Sequence, residues 1–234
     1  EGGPPVPPLN LVGDFGGGAL YLAFGLVCGL LEAKSSGRGQ VVDIAMVDGA
    51  LSLMTAFYGS HASGRFTTER GTNVVDGGAP FYDVYACADG HYISIAPIED
   101  RFRTELYERI GLDPAVLIGR DGPAHRHEVK PKLAALFKTR TRDAWCELLE
   151  GTDACFAPVL SVAEAPDHAH LQARGAIIEV DGIKQPAPAP RFSRTPAALP
   201  RPPHRTPQSG EAVLPDWGID SASVKALREA GVIS

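Results

Sequence analysis

The chain contains 234 residues, of which 44% are hydrophobic and 21% are charged, a composition typical of globular rather than disordered proteins. Lysine and arginine number 22 against 28 aspartates and glutamates, which gives a formal net charge of −6. Nucleic acid is bound through a basic surface, so this acidic balance argues against a nucleic-acid partner.

The beginning of the chain and its cysteines indicate the compartment. The chain starts at Glu1 in a run of glycine and proline without a signal peptide, so we expect a cytoplasmic protein that lacks an N-terminal portion. Four scattered cysteines without a Cys-x-x-Cys pair favour reduced thiols, and we expect no metal site. The most apolar stretch, residues 16–31, is shorter than the about 20 residues of a membrane span. We therefore expect a buried helix and no membrane contact.

The first elements in chain order are two apolar helices with a short strand between them. Apolar residues at helical spacing predict a helix over about residues 19–34, preceded by the glycine-rich segment 13–18. The β-branched run at residues 40–45 predicts a strand. Residues 46–61 then predict a second apolar helix.

The middle of the chain predicts a hairpin followed by helices. Residues 63–80 form a polar, glycine-rich connection without periodicity. Residues 81–97 predict a hairpin that turns at Asp89-Gly90. Three helices are predicted to follow, near residues 100–110, 127–138 and 142–149, the last with Thr141 as its N-cap.

The last part alternates short elements with a proline-rich segment. Residues 157–162 and 177–180 predict strands on either side of a helical segment at 163–174. Residues 186–207 contain eight prolines and four arginines, so we expect an extended strap. A final helix is predicted over residues 220–230, beginning at a cap on Asp220 or Ser221.

The segment Gly13-Asp14-Phe15-Gly16-Gly17-Gly18, directly before the first apolar helix, admits two interpretations. Asp14 could move a proton beside the free amides of a helix N-terminus, which would hold a developing oxyanion. Alternatively, Asp14 is a helix cap and the glycines are packing spacers. Spacing alone does not decide between the two.

Five motifs in order give the chain a recognisable pattern. They are Asn-Leu-Val-Gly-Asp-Phe-Gly-Gly-Gly at 10–18, Ser-Ser-Gly-Arg-Gly-Gln-Val-Val-Asp-Ile-Ala-Met-Val-Asp-Gly at 35–49, Asp-Gly-Gly-Ala-Pro-Phe-Tyr-Asp-Val-Tyr at 76–85, Ala-Cys-Ala-Asp-Gly at 86–90 and Ala-Pro-Arg-Phe-Ser-Arg-Thr-Pro at 189–196. Together they resemble the α-methylacyl-CoA racemases of the family III CoA-transferase superfamily. The resemblance extends over essentially the whole chain.

The resemblance implies an enzyme that inverts 2-methylacyl-CoA thioesters by removing and returning the α-proton. It implies that Asp14 is one of the two proton-moving groups, that Glu99 pairs with a catalytic histidine, and that Tyr82 lines the acyl-CoA site. Asn10 matches a polar neighbour in the active site. Without the resemblance, the position of Glu99 favours a helix N-cap or a first-turn acid.

The resemblance also indicates substrate contacts and cofactors. The amides that follow Asp14 are candidate donors to the thioester oxygen, and we expect Gly16 and Gly17 to contact the substrate. No cofactor is expected, since coenzyme A is part of the substrate. In the family the catalytic histidine lies upstream of the Gly-Asp-Phe-Gly motif, and none of the seven histidines of this chain occupies that place.

The implied fold is α/β, with a truncated large CoA-binding domain and a small α+β domain. The expected boundaries are 1–45 for the remnant of the large domain, 46–86 for a linker helix and connection, 87–177 for the small domain, 178–188 for a second linker, and 189–234 for the return to the large domain. Family members form interlocked homodimers, which implies that Asp14 and Glu99 meet across subunits.

Two other functions remain open at this point. One is a family III CoA-transferase in which Asp14 is a nucleophile that forms a covalent acyl intermediate. The other is an inactive fragment that lacks the catalytic histidine. The acyl chain of the substrate does not follow from the sequence.

Overall fold

The computed structural model describes residues 6–117, 123–198 and 213–233. The chain divides into two compact units, residues 1–159 and residues 160–234. Residues 199–207 of the predicted proline-rich strap lie outside the described residues. Each unit combines helices with a small antiparallel sheet.

The first unit opens with one continuous helix. A π-helix, Leu11–Leu20, passes directly into α1, Tyr21–Ser36, which ends at Gly37 in the left-handed conformation (φ 73°). The prediction that the helix begins near Ala19 is therefore wrong. Glycine has a low intrinsic helix propensity, but tertiary packing overrides propensity, and here the glycines pack closely against the next helix.

The continuous helix also overturns the expected length and burial of the apolar stretch. Together the π-helix and α1 span 26 residues, Leu11–Ser36, and an 18-residue window within them has a mean hydropathy of 1.6, which is long and apolar enough to cross a membrane. Core helices of soluble proteins meet the same test, so length and composition do not decide between the two. None of the α1 residues is buried, and Phe24 and Leu30 are 68% and 70% exposed.

The predicted strand at residues 40–45 is absent from the described residues, where this segment is irregular backbone. Val42 and Ile44 face Gly25 and Gly29 of α1, whereas Val41 is 95% exposed. The side chains alternate as they would in a strand. A strand also requires a neighbour to pair its backbone, and the described part of the chain supplies none here.

The predicted helix over residues 46–61 forms as two shorter helices, α2 at Met46–Leu53 and α3 at Thr55–Ala62. The break lies at Met54, whose backbone (φ −86°, ψ 0°) leaves the helical region. Thr55 Oγ1 donates to the Ser52 carbonyl at 2.7 Å and stabilises the turn between them.

A three-stranded antiparallel sheet follows, in the order β1-β2-β3. The strands are β1, Asp83–Ala86, β2, Tyr92–Ile95, and β3, Phe156–Val159. Asp83 pairs with Ile95, and Ile95 pairs with Phe156. The hairpin predicted at Asp89-Gly90 is confirmed, with Gly90 at φ 80° in its turn. The strand predicted over 157–162 is confirmed as the shorter β3.

Four helices accompany this sheet: α4, Asp100–Arg109, α5, Pro114–Leu117, α6, Pro123–Phe137, and α7, Arg142–Leu149. Thr141 caps α7 as predicted, accepting from the Ala144 N–H at 3.2 Å. The core of the unit lies between the sheet and these helices. Its fully buried members include Ile93, Leu106, Leu133, Phe137, Trp145 and Leu149.

The second unit holds a hairpin and short helices. A 3₁₀ turn, Ala165–Asp167, and α8, Ala169–Ala173, replace the single helix predicted over 163–174. The predicted strand β4, Ile177–Val180, is confirmed, and it pairs with β5, Ile183–Pro186, which the sequence did not predict. After a 3₁₀ turn at Leu214–Trp217, the last helix, α9, covers Ser221–Glu229.

Asp220 provides the cap of α9. Its Oδ1 accepts from the Ser223 N–H at 2.8 Å, which resolves the two predicted alternatives in favour of Asp220 over Ser221. Because this carboxylate also accepts from the Ser223 hydroxyl at 3.1 Å, these hydrogen bonds hold the pKa of Asp220 below its ordinary value.

Candidate functional site

Asp14 lies inside the π-helix and not at the mouth of a helix. The helix begins at Leu11, with Asn10 in the cap position, so Asp14 falls in its first turn. The Phe15 N–H already donates to the Asn10 carbonyl oxygen at 3.2 Å. The expectation of free amides directly after Asp14 is thus wrong at Phe15, and the glycines that follow belong to the helix. Asp14 and Asn10 are both exposed.

The two glycines predicted to contact substrate lie at a helix crossing. Gly17 is buried, and a Cβ on it would come to within 2.6 Å of the Ala50 backbone nitrogen. A Cβ on Gly16 would lie 3.2 Å from the Leu11 carbonyl oxygen. Both therefore have a packing role, and their contact with substrate stays a prediction. A π-helix is rare and often marks a functional site.

Glu99 occupies the N-cap position of α4, but its side chain makes no capping hydrogen bond. Instead, its carbonyl oxygen accepts from the N–H groups of Phe102 and Arg103, at 3.1 and 3.0 Å. The residue is exposed. The start of α4 therefore uses the backbone of Glu99 and not its carboxylate.

The carboxylate of Glu99 lies within electrostatic range of the Cys155 thiol, just before β3. Partial burial raises the pKa of Cys155, and the negative charges of Glu99 and Asp153 raise it further. Cys155 has a left-handed backbone (φ 49°) and is exposed. Glu99 and Cys155 therefore lie on the same exposed part of the first unit.

Tyr82 is half-buried in the turn that leads into β1. Its N–H donates to the Ala79 carbonyl oxygen at 3.1 Å. Cations contact both of its neighbours: the Arg103 guanidinium lies 4.3 Å from the centroid of the Phe81 ring, and Lys130 Nζ lies 2.5 Å from Asp83 Oδ2. The backbone on either side of Tyr82 is therefore anchored to α4 and α6.

The sequence reasoning missed a polar network in the connection before Tyr82. Asn73 and Asp76 form a reciprocal capping box around a 3₁₀ turn, Val74–Asp76. Asp76 accepts from the Asn73 N–H at 2.8 Å, from Asn73 Nδ2 at 2.8 Å and from the Gly71 N–H at 3.1 Å. Burial alone would raise the pKa of Asp76, but these hydrogen bonds outweigh it and lower that pKa. The Asn-x-x-Asp spacing was the available signal.

A cavity of about 410 Å³ lies between the connection at residues 63–80 and α6. Arg126 Nη1 donates to the Thr72 carbonyl oxygen and Lys130 Nζ to the Gly77 carbonyl oxygen, both at 2.7 Å. None of the six predicted site residues is among those that line it. The lining residues are Thr67, Glu69, Gly71, Thr72, Gly77, Gly78, Arg126, His127, Lys130 and Pro131.

The six predicted site residues fall into two groups. Four lie on or just before the π-helix: Asn10, Asp14, Gly16 and Gly17. Tyr82 and Glu99 lie beside the three-stranded sheet, on segments that Arg103 connects. Among the described residues, no group of three or more histidine, cysteine, aspartate or glutamate side chains is placed to hold a metal ion. The expected absence of a cofactor stays a prediction.

Comparison with known proteins identifies the family. The family model described as CoA-transferase family III matches residues 1–212, so the chain belongs to CoA-transferase family III. The chain is 39% identical to an alpha-methylacyl-CoA racemase of Mus musculus and 34% identical to one of Homo sapiens, in each case over 98% of its length. It spans 61% and 60% of those two proteins.

Solved structures show the same fold. The crystal structure of Rv3272 from M. tuberculosis matches with a TM-score of 0.63 at 22% identity, covering 86% of this chain and 53% of that one. The expected α/β, family III CoA-transferase-like fold is thereby confirmed, over about half of the length of the solved chain. The domain boundaries and the assignments of site residues stay predictions.

Proposed function

We propose that the full-length protein containing this chain is a racemase or epimerase of 2-methylacyl-CoA thioesters. The observation that carries this proposal is the 39% identity to an alpha-methylacyl-CoA racemase, which extends over 98% of the chain. The placement of Asp14 supports it, because an exposed carboxylate on a π-helix is accessible to a substrate.

The proposed reaction inverts the carbon beside the thioester carbonyl. A base takes the α-proton, and the electron pair of the C–H bond moves into an enolate whose negative charge lies on the thioester oxygen. An acid then returns a proton to the opposite face. No group leaves and nothing is oxidised or reduced. We assign one face to Asp14 and the other to a histidine upstream of Glu1.

Glu99 is proposed to orient that histidine and to raise its basicity. Its carboxylate suits this role because it is exposed and does not cap α4. Tyr82 is proposed to line the acyl-CoA site, with its backbone held between two cation contacts. Asn10, in the cap position just before the helix that carries Asp14, is proposed as a polar neighbour of the substrate.

An interlocked homodimer is proposed to bring Asp14 of one subunit to Glu99 of the other. Helix α1 exposes apolar side chains, including Phe24 and Leu30. Such a surface supports the proposal that the rest of the complete assembly covers this helix. Mixing full-length Asp14→Asn and Glu99→Gln subunits tests the arrangement. If the sites are shared between subunits, the mixture should show roughly a quarter of wild-type activity. Half of the dimers then contain one subunit of each variant, and each such dimer has one intact site out of two. Sites within single subunits predict no recovery.

The second candidate is a CoA-transferase, which the description of the matching family favours. In that case Asp14 attacks the thioester to form a mixed anhydride and release the CoA thiolate. The thiolate then attacks the Asp14 carbonyl, which frees the first acid and leaves a covalent CoA thioester on Asp14, and a second carboxylic acid finally takes over the CoA. Incubation of the full-length protein with a 2-methylacyl-CoA in deuterated water separates the two functions. Deuterium at the α-carbon without an acceptor acid is expected of the racemase. Turnover that requires an acceptor acid, without deuterium uptake, would reject it.

This chain by itself is expected to be inactive, because the proposed reaction needs the second proton-moving group. The isolated chain should therefore show no α-proton exchange with the same thioester. Restoring the upstream segment should restore exchange. Full turnover by the isolated chain would show that the histidine assignment is wrong.

A further inference from the structure

Arg103 is a buried arginine between the two segments that carry Glu99 and Tyr82. The residue is only 6% exposed, although its side chain ends in a guanidinium cation. Burying a charge is costly unless specific partners compensate for it. The contacts of Arg103 therefore identify what its charge stabilises.

One set of contacts reaches the beginning of α4. The Arg103 guanidinium forms an ion pair with Asp100, which follows Glu99 in the chain and is the first residue of α4. The Arg103 side chain is 7% exposed and the Asp100 side chain 69%, so the ion pair joins a buried cation to an acid on the surface of the first turn. Arg103 thereby fixes the first turn of α4 and the direction from which the Glu99 side chain leaves the backbone.

The other contact reaches the turn before β1. The guanidinium carbon lies 4.3 Å from the centroid of the Phe81 ring, which is itself 6% exposed. A guanidinium stacked on an aromatic face is held by cation–π attraction and by its planar shape. Since Phe81 is bonded directly to Tyr82, a fixed Phe81 ring also fixes the backbone of Tyr82.

We propose that Arg103 is a positioning residue that holds Glu99 and Tyr82 in a fixed relative geometry. It acts through these two residues and not on the reacting atoms. The inference rests on the proposed racemase function, in which Glu99 supports the proton-moving group on one face of the substrate and Asp14 acts on the other. Loss of the Arg103 contacts should therefore lower kcat only for the half-reaction on the Glu99 side. A displaced Tyr82 should instead raise KM for both enantiomers alike, because both occupy the same acyl-CoA site.

The test measures α-proton exchange of each enantiomer of a 2-methylacyl-CoA separately, in deuterated water, with the full-length protein. Arg103→Met is expected to lower kcat for exchange of one enantiomer by at least about tenfold, because small misplacements of catalytic groups are costly. Exchange of the other enantiomer is expected to change much less. The kcat of Arg103→Lys for the affected enantiomer should lie between those of the wild type and Arg103→Met, since lysine keeps the charge but cannot stack on the Phe81 ring as a planar group.

Arg109→Met is the matched control, because Arg109 lies at the end of the same helix and pairs with Glu105 on the surface at 2.9 Å. It should leave exchange of both enantiomers unchanged. Phe81→Leu keeps a buried apolar side chain but removes the aromatic face, and it should reproduce the one-sided loss. This second variant tests the inference even if Arg103→Met does not fold.

Three outcomes overturn the inference. If Arg103→Met and Phe81→Leu lower kcat for exchange of both enantiomers equally, Arg103 has only a structural role. If neither variant changes exchange of either enantiomer, Arg103 does not position the site. If the wild-type protein shows no exchange at all, the proposed function fails and the inference fails with it.

Discussion

The backbone of Gly49 lies against the carbonyl group of Gly17, so closely that a Cβ on Gly49 would come to within 1.9 Å of the Gly17 oxygen. Both glycines are buried where the π-helix crosses α2. Backbones that approach this closely leave no space for a side chain between them. The turn that carries Asp14 is therefore held in place by a contact that only glycine permits.

Replacing Gly49 by alanine should destabilise the first unit. The added methyl group overlaps backbone atoms, which cannot move aside as a flexible side chain does. Overpacking of this kind costs about 1–3 kcal/mol. Urea unfolding of the chain, followed by circular dichroism, measures the change in the free energy of unfolding.

Gly59→Ala is the control for this substitution. Gly59 lies in the neighbouring helix α3, and a Cβ built on it meets no atom within 4 Å. Alanine there should stabilise the chain by up to about 1 kcal/mol, because it restricts the unfolded state. Equal effects of the two substitutions would show that the helices do not cross at Gly49.

The Asp76 carboxylate should contribute a pH-dependent part of the stability. Its pKa is lowered in the folded chain, so its contribution is fully present above the ordinary value of 3.8 and is lost as the pH falls through the lowered pKa. Asp76→Asn should cost about 1–3 kcal/mol at pH 7, because the amide cannot accept all three hydrogen bonds. The measurement is urea unfolding at pH 7 and at pH 3.

The pH series needs a control carboxylate with fewer partners. Asp113 is exposed and accepts from the Ala115 N–H at 2.9 Å. Asp113→Asn should have a smaller effect at pH 7 than Asp76→Asn. The difference in stability between wild type and Asp76→Asn should also shrink at acidic pH. A difference that stays constant from pH 7 to pH 3 would argue against a charged Asp76 in the network.

The position of Glu99 can be tested without any activity measurement, through the Cys155 thiol. Since the negative charge of Glu99 raises the pKa of Cys155, Glu99→Gln should lower that pKa and increase the thiolate fraction at a given pH. Alkylation of Cys155 by iodoacetamide at pH 8, followed by peptide mass mapping, should then be faster. Glu108→Gln, a change to another exposed acid on α4, should leave the rate unchanged.

An unchanged alkylation rate in Glu99→Gln would place the Glu99 carboxylate away from Cys155. The other exposed thiol of the described residues, Cys28 in α1, provides an internal reference within the same sample. Its rate should be the same in all three proteins. Normalising the Cys155 rate to that of Cys28 removes differences in reagent concentration.

Local signals in the sequence predicted the elements whose ends are set by nearby residues. Thr141 and Asp220 cap α7 and α9 as expected. In each cap a side-chain oxygen accepts from an N–H only three residues further along the chain, so the sequence itself contains both partners. Asp89-Gly90 turns the first hairpin for the same reason. The second hairpin carries the same signal at Asp181-Gly182, with φ values of 51° and 78°. The prolines that follow it concealed β5 in the sequence.

Features that depend on distant contacts were not predicted. The glycine-rich segment 13–18 has low helix propensity, and only the crossing with α2 explains why the helix extends back to Leu11. Residues 40–45 have the pattern of a strand, but pairing also depends on a neighbour that the pattern does not contain. The burial of Arg103, on the inner face of α4, likewise does not follow from a charged, helical stretch of sequence.

The sequence proposes members of the candidate site, whose roles stay predictions, but it does not show how they are positioned. The family resemblance, and not spacing or charge, identified Asp14 and Glu99 as candidate catalytic residues. The structure adds that Glu99 leaves its carboxylate out of the helix cap and that Gly17 is a packing residue. Because the chain spans about 60% of the racemases that it matches, the site has to be tested in the full-length protein.

The most direct test of the central claim is the rate at which full-length Asp14→Asn exchanges the α-proton of each enantiomer of a 2-methylacyl-CoA in deuterated water. Loss of a general acid–base group predicts that exchange of at least one enantiomer slows by about 100-fold or more, and that interconversion of the two stops. Exchange of both enantiomers at the wild-type rate would contradict the claim that Asp14 carries the proton.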